Sequence, residues 1–211
     1  MIPWEDDFGK LSKNQEEFIV GCLLGDGRLE SRSFANTARL RIHHSDSQRD
    51  YLFWKFEKLK NLTKTIPRRH EYIDKRYNKK VVSWYFHTKT FISFAKLYKM
   101  FYKNGRKNVP VNLEKILTPY ILAVWIMDDG CLNKGALILN TQSFSMGEHR
   151  YMQSIFNKKY GVKTGIHKDR KNFRLYFPKQ SAKIIQNIIA PFLFGPKFIP
   201  VETDPRLGGV R

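Results

Sequence analysis

Leu122-Ala123-Val124-Trp125-Ile126-Met127-Asp128-Asp129-Gly130 is an apolar run that stops at two acids and a glycine. Thr118 stands before it as a helix cap, and Pro119 takes the first helical position, where its missing amide hydrogen leaves nothing unsatisfied. The stretch therefore predicts a buried helix whose end carries Asp129. The same grammar occurs earlier in the chain. Ser12-Lys13-Asn14-Gln15 has the form of a capping box, and Ile19-Val20-Gly21-Cys22-Leu23-Leu24-Gly25-Asp26-Gly27 comes after it as a second apolar helix ending at an acid between glycines.

The segments downstream of the two helices also repeat. Residues 38–44 alternate, with Leu40 and Ile42 on one side and Arg39, Arg41 and His43 on the other, as in a half-buried strand. A helix to about Lys60, strands near 68–73 and 81–88 joined by the polar turn 74–80, and a helix over 91–102 complete the first half. In the second half a strand spans 136–142, the capping box Ser145-Met146-Gly147-Glu148 opens a helix to Tyr160, a hairpin covers 162–178, and a helix runs from Ser181 to about Phe194. Each half thus reads helix, strand, helix, strand, strand, helix, with one extra short strand near 28–33. This is an α+β pattern. Lys107-Asn108-Val109-Pro110 and Lys197-Phe198-Ile199-Pro200 repeat a K-x-[VI]-P tetrapeptide, one after each helix-ending aspartate. The expected boundaries are an N-terminal half over 1–105, a linker over 106–117, a C-terminal half over 118–201 and a tail over 202–211.

Lysine and arginine number 38 against 19 acidic residues, a formal charge of +19, which points to a polyanionic partner. Nucleic acid fits better than a membrane, since the charge is spread through strand-like segments and not along a basic amphipathic helix. The longest apolar runs, 18–24 and 120–127, are too short to span a bilayer. Cys22 and Cys131 are two isolated thiols, which make neither a disulfide framework nor a zinc site and imply a reduced compartment. The first ten residues are too acidic for an import presequence, so a role in an organelle implies synthesis there.

Two apolar helices that each end in an aspartate suggest one chemistry. Packed side by side, with Gly21, Gly25 and Ala123 allowing close approach, they would bring Asp26 and Asp129 together. A carboxylate at a helix C-terminus is disfavoured by about 0.3–1 kcal/mol, and two together repel. A hard divalent cation relieves both costs and serves phosphodiester hydrolysis. Lys107 and Lys197 would neutralise charge developing on the phosphorus. Taken singly, each aspartate is equally an ordinary turn residue.

The nine-residue segments 19–27 and 122–130 resemble the two copies of the motif that names the LAGLIDADG homing endonucleases. Leu117-Thr118-Pro119, Trp125 to Gly130 and Leu139-Asn140-Thr141-Gln142-Ser143-Phe144 are similar in particular to the mitochondrial omega-intron branch. The resemblance implies a pseudo-twofold fold of two αββαββα-type halves, with saddle-shaped antiparallel sheets along DNA and the motif helices packed at the interface. It implies a monomer that cuts both strands of double-stranded DNA at a long asymmetric target and promotes mobility of its intron, in a mitochondrion or chloroplast, or otherwise in the cytoplasm. The metal would be Mg2+, with Mn2+ able to substitute and Ca2+ binding without supporting cleavage. Asp26 and Asp129 fall at the metal-binding position and Lys107 and Lys197 at the basic one; Asp128, Gln142 and His43, with its neighbour His44, are accessory candidates. Val124, Cys22 and Leu24 depart from the motif at helix-packing positions. An RNA maturase, or a regulator that binds without cutting, is the alternative on the same scaffold.

The basic strand faces would read the DNA. Arg28, Arg32, Arg39, Arg41, His43, Arg68, His70, Ser83, Tyr85 and His87 supply them in the first half, and Arg174 and Tyr176 in the second. Asn140 and Gln142 suit base edges. Lys75, Lys79, Lys80, Lys168, Arg170 and Lys171 are expected in hairpin turns, against phosphates.

Overall fold

The computed structural model describes residues 11–31, 36–76 and 78–195. The chain divides into two compact units, Met1–Tyr102 and Lys103–Arg211.

In the first unit the capping box forms as expected: the Ser12 hydroxyl accepts the Gln15 N–H and the Gln15 side chain accepts the Ser12 N–H, both at 3.3 Å. It opens α1 (Lys13–Leu24), in which every residue from Phe18 to Leu24 is buried. A helix that is apolar all round belongs in an interior and not on a surface. Then come β1 (Arg28–Ser31), β2 (Ala38–Ser45), α2 (Arg49–Leu59), β3 (Arg68–Asp74), β4 (Lys79–His87) and α3 (Ile92–Phe101). The four strands form an antiparallel sheet in the order β1-β2-β4-β3. One face carries Leu29, Leu40, Ile42 and Phe86 into a core shared with Tyr51 and Leu52 of α2 and Phe94, Leu97 and Phe101 of α3. Each such side chain stabilises the fold by about 1.5–3 kcal/mol through removal from water.

The second unit repeats this order. After the short α4 (Leu113–Ile116) come α5 (Pro119–Asp129), β5 (Gly130–Asn133), β6 (Ala136–Leu139), α6 (Met146–Tyr160), β7 (Gly165–Asp169), β8 (Asn172–Phe177) and α7 (Lys179–Ile189). Its antiparallel sheet runs β5-β6-β8-β7, the same order as in the first unit. Both halves are αββαββα. The strand β5 is an addition to the elements expected from the sequence. It pairs with β6 through a two-residue turn in which Lys134 and Gly135 both take positive φ, 48° and 84°, the geometry whose twist matches a tight hairpin.

The segment 106–117, expected as a linker, is fastened to the second unit. Glu148, already the partner of Ser145 in the capping box of α6, also accepts the Val109 N–H at 2.7 Å. The Tyr151 hydroxyl donates to the Val111 carbonyl at 2.7 Å. The tail 202–211 lies outside the described residues.

Candidate active site and nucleic-acid interface

Each motif helix delivers its aspartate through a turn that only glycine fits. In the first unit Gly25 ends α1 with its N–H on the Gly21 carbonyl, Asp26 comes next as an exposed residue, and the Gly27 N–H bonds the Cys22 carbonyl at 2.7 Å. A Cβ on Gly27 would sit 2.5 Å from that carbonyl oxygen. In the second unit Asp129 is the last residue of α5, and a Cβ on Gly130 would sit 2.5 Å from the Ile126 carbonyl oxygen. Both glycines let the chain double back at once into the first strand of its sheet, with the acid at the bend.

The expected accessory pair divides. His43 is exposed on the outer face of β2, whereas His44 is 4 % exposed and turns to the opposite face, its ring 5.2 Å from that of Tyr51. There its Nδ1 lies 3.6 Å from a carboxylate oxygen of Asp26. Alternation along β2 makes this unavoidable, because neighbours in a strand face opposite ways. In the second unit the Asp129 carbonyl accepts the Asn140 N–H at 2.8 Å, so the end of β6 is tied to the end of α5. Asp128 and Asp129 are half-buried, as is Lys107 in the segment ahead of α4. Lys197 and Arg32 lie outside the described residues.

The strand pairing gathers most of the basic candidates of the first half on one face. Arg28, Arg41 and His87 stand in one cross-strand row; Arg68, Tyr85 and His43 form another, and His70, Ser83 and Ser45 a third. Arg39 and Glu30 complete the face. Tyr85 sits at its centre, with the Arg41 guanidinium 5.3 Å above its ring and the rings of His43, His70 and His87 within 6.4 Å. Glu30 holds Arg39 at 2.8 Å, Arg41 at 3.5 Å and His87 at 3.8 Å. Burial works against the Glu30 carboxylate, but the Arg39 hydrogen bond and the charges of Arg39, His87 and Arg41 outweigh it and hold its pKa low. Burial first, then Arg41 and His70, lowers the pKa of His43; burial and Arg39 lower that of His87.

Several of these residues differ in setting from the expectation. Lys79 and Lys80 belong to β4 and not to a turn, and only Lys75 remains at the hairpin tip. Lys79 shares the parity of Tyr85, whereas Lys80 points to the other face, where Glu71 binds it at 2.9 Å. Ser83 is buried, with its hydroxyl on the His70 carbonyl.

In the second unit Arg174 and Tyr176 lie on the outer face of β8 beside Gly165 and His167 of β7. His167, absent from the residues expected to bind, stacks on Tyr176 with ring centroids 4.1 Å apart and planes 12° off parallel. Lys168 is exposed but has the parity of the inward Phe173, and Arg170 and Lys171 form the hairpin tip. Asn140 and Gln142 lie just past the end of β6. The Gln142 amide nitrogen donates to Asp169 at 2.9 Å and to the Asn140 side-chain oxygen at 3.3 Å.

Two copies of one αββαββα unit, each opening with a buried helix that ends in an acid, define a duplicated α+β protein with a basic sheet face. Residues 16–185 match the LAGLIDADG DNA endonuclease family. The chain belongs to that family. It is 36 % identical over 200 residues to the DNA endonuclease I-ChuI of Chlamydomonas applanata, covering 87 % of this chain and 92 % of that one. It is 29 % identical over 189 residues to the cytochrome b mRNA maturase bI2 of Debaryomyces hansenii, covering 87 % and 71 %. The fold matches that of the homing endonuclease I-WcaI bound to its DNA recognition sequence, with a TM-score of 0.84 and 23 % identity, over 92 % of this chain and 88 % of that one.

Proposed function

We propose that this chain is a site-specific homing endonuclease that hydrolyses both strands of double-stranded DNA at a long asymmetric target, in a reaction dependent on a divalent metal, and so mobilises the intron that encodes it. The observation that carries the reading is the doubled turn. Asp26 before Gly27 and Asp129 before Gly130 each end a buried helix and open a four-stranded sheet, in a chain similar along most of its length to a DNA endonuclease.

Asp26 and Asp129 are the proposed metal-binding carboxylates, one from each half. Asp26 presents an exposed carboxylate, an oxygen donor of the kind a hard divalent cation takes, with the buried His44 ring nitrogen 3.6 Å away. The ion supplies activation of water and charge stabilisation at the departing 3′ oxygen when bound. Lys107 and Lys197 counter the charge that builds on the phosphoryl oxygens. The outer sheet faces bind: Arg39 and Arg41, held in place by Glu30, reach the duplex without first having to be ordered. Because the two faces carry different side chains, the half-sites are unlike, and a monomer suffices. Mg2+ is the proposed physiological ion, and a mitochondrion or chloroplast the proposed compartment.

The test is cleavage of a plasmid library carrying random or intron-junction inserts, with magnesium or with EDTA, by the natural chain and by Asp26→Asn and Asp129→Asn. Magnesium-dependent cutting at one long site, lost in both variants while binding survives, is the expected result. The likeness to an mRNA maturase supports a second reading, RNA splicing assistance. Specific binding to intron RNA, with no DNA cleavage in magnesium or manganese, would establish that reading instead.

A further inference from the structure

The end of β6 is held more firmly than a strand end needs to be. The Asn140 N–H is on the Asp129 carbonyl, and the buried Thr141 hydroxyl accepts the Leu175 N–H at 3.2 Å and contacts His149 Nε2 at 2.9 Å. Asn140 and Gln142 flank that anchored residue. Their side chains engage each other, and that of Gln142 also engages Asp169, which ends β7. A carboxylate accepts hydrogen bonds and does not donate them. The Gln142 group that meets Asp169 at 2.9 Å is therefore the NH2, and its second hydrogen goes to the Asn140 oxygen at 3.3 Å. Chemistry thus fixes an amide orientation that shape alone leaves open. With its nitrogen turned inward, Gln142 has only its oxygen left to offer; Asn140, with its oxygen used, has its NH2.

We propose that Asp169 is a positioning residue that sets base preference in the second half, by forcing Gln142 to present an acceptor and Asn140 a donor. The inference rests on the DNA-reading function above. In the major groove adenine N6 and cytosine N4 donate, whereas guanine presents only acceptors and thymine an acceptor and a methyl. A Gln142 locked with its oxygen outward takes adenine or cytosine at its contact and disfavours guanine and thymine. Without Asp169 the amide turns freely and the discrimination goes. A lysine at 169 reverses it, because the ammonium must be met by the Gln142 oxygen, which sends the NH2 outward.

The experiment is selection from a pool of randomised duplexes under non-cleaving conditions, with EDTA in place of magnesium, using the full chain, Asp169→Ala and Asp169→Lys, each checked for folding by circular dichroism. The expected result is one position at which the natural chain prefers adenine or cytosine, a preference that falls at least fivefold in Asp169→Ala and turns toward guanine or thymine in Asp169→Lys. Positions away from those read by Gln142 and its partner Asn140 keep their profiles, which a merely structural role for Asp169 would not spare selectively. Identical profiles for the natural chain and both variants would overturn the inference while leaving the DNA-reading function intact. If the natural chain enriches no sequence at all, that function fails and the inference falls with it.

Discussion

His44 Nδ1 lies 3.6 Å from a carboxylate oxygen of Asp26, and the His44 ring is buried against Tyr51. The imidazole is fixed by packing while the aspartate is exposed, so the ring is the rigid member of the pair, and we propose that it positions the acid. His44→Ala is expected to lower the single-turnover cleavage rate at least tenfold with DNA affinity changed less than threefold. The same substitution removes a buried ring and should cost about 2–4 kcal/mol of stability, read by urea denaturation. A cleavage rate within twofold of the natural chain would show that His44 only packs.

The two turn glycines should behave alike and unlike a third. Gly27→Ala and Gly130→Ala each drive a Cβ to 2.5 Å from a helix carbonyl oxygen, and the backbone cannot yield without moving the neighbouring acid. Each is expected to destabilise its half by about 1–3 kcal/mol and to abolish cleavage. Gly147 lies in the first turn of α6 with nothing within 4 Å of its would-be Cβ, so Gly147→Ala should raise stability by about 0.4–1 kcal/mol. Thermal unfolding of the three variants separates the cases.

Long, strongly patterned elements were legible in the sequence because each carries its own signal. The capping boxes at Ser12 and Ser145 and the apolar runs 18–24 and 121–127 placed the helices, and the alternation of Leu40 and Ile42 with Arg39, Arg41 and His43 gave the face of β2. Of the two four-residue opening strands, β1 is expected near 28–33 and β5 is not. β5 has four residues, Gly-Cys-Leu-Asn, too few for a period of two to show, and only Asn133-Lys134-Gly135 hinted at its tight turn. All four residues of β6 are buried, so its run does not alternate and its end could not be read; Asn140 and Gln142 fall beyond it. His43 and His44 are neighbours in the sequence, yet a strand sends neighbours to opposite faces. The role of Asp169 depends on contacts across 27 residues of chain, which no local pattern records.

Lowered pKa values at His43 and His87 give DNA binding and stability opposite responses to acid. Both fall below the ordinary imidazole value of about 6.5, so the neutral rings prevail at pH 7. The unfolded chain takes up these protons first, so the stability present above that value is lost as pH falls through the folded-state pKa values. DNA phosphates favour the charged rings. Affinity should therefore rise between pH 7 and pH 5.5 while thermal stability declines, and the affinity gain should vanish in His43→Gln/His87→Gln. An affinity independent of pH in the natural chain would remove these rings from the interface.

Arg41 and Lys80 test which face meets the duplex. Arg41 lies over Tyr85 on the face opposite the core and is held there by Glu30; Lys80, on the neighbouring strand of the same sheet, points to the other face and pairs with Glu71. A cation that touches a phosphate releases a counterion, and its loss flattens the dependence of log affinity on log salt by about 0.9. Arg41→Ala should therefore weaken binding about tenfold and reduce the salt slope by about one contact, whereas Lys80→Ala should change neither beyond twofold. Fluorescence anisotropy with a labelled target duplex across a salt series distinguishes them. Equal losses from both substitutions would mean that the charge of the unit, and not the Arg41 face, carries the affinity.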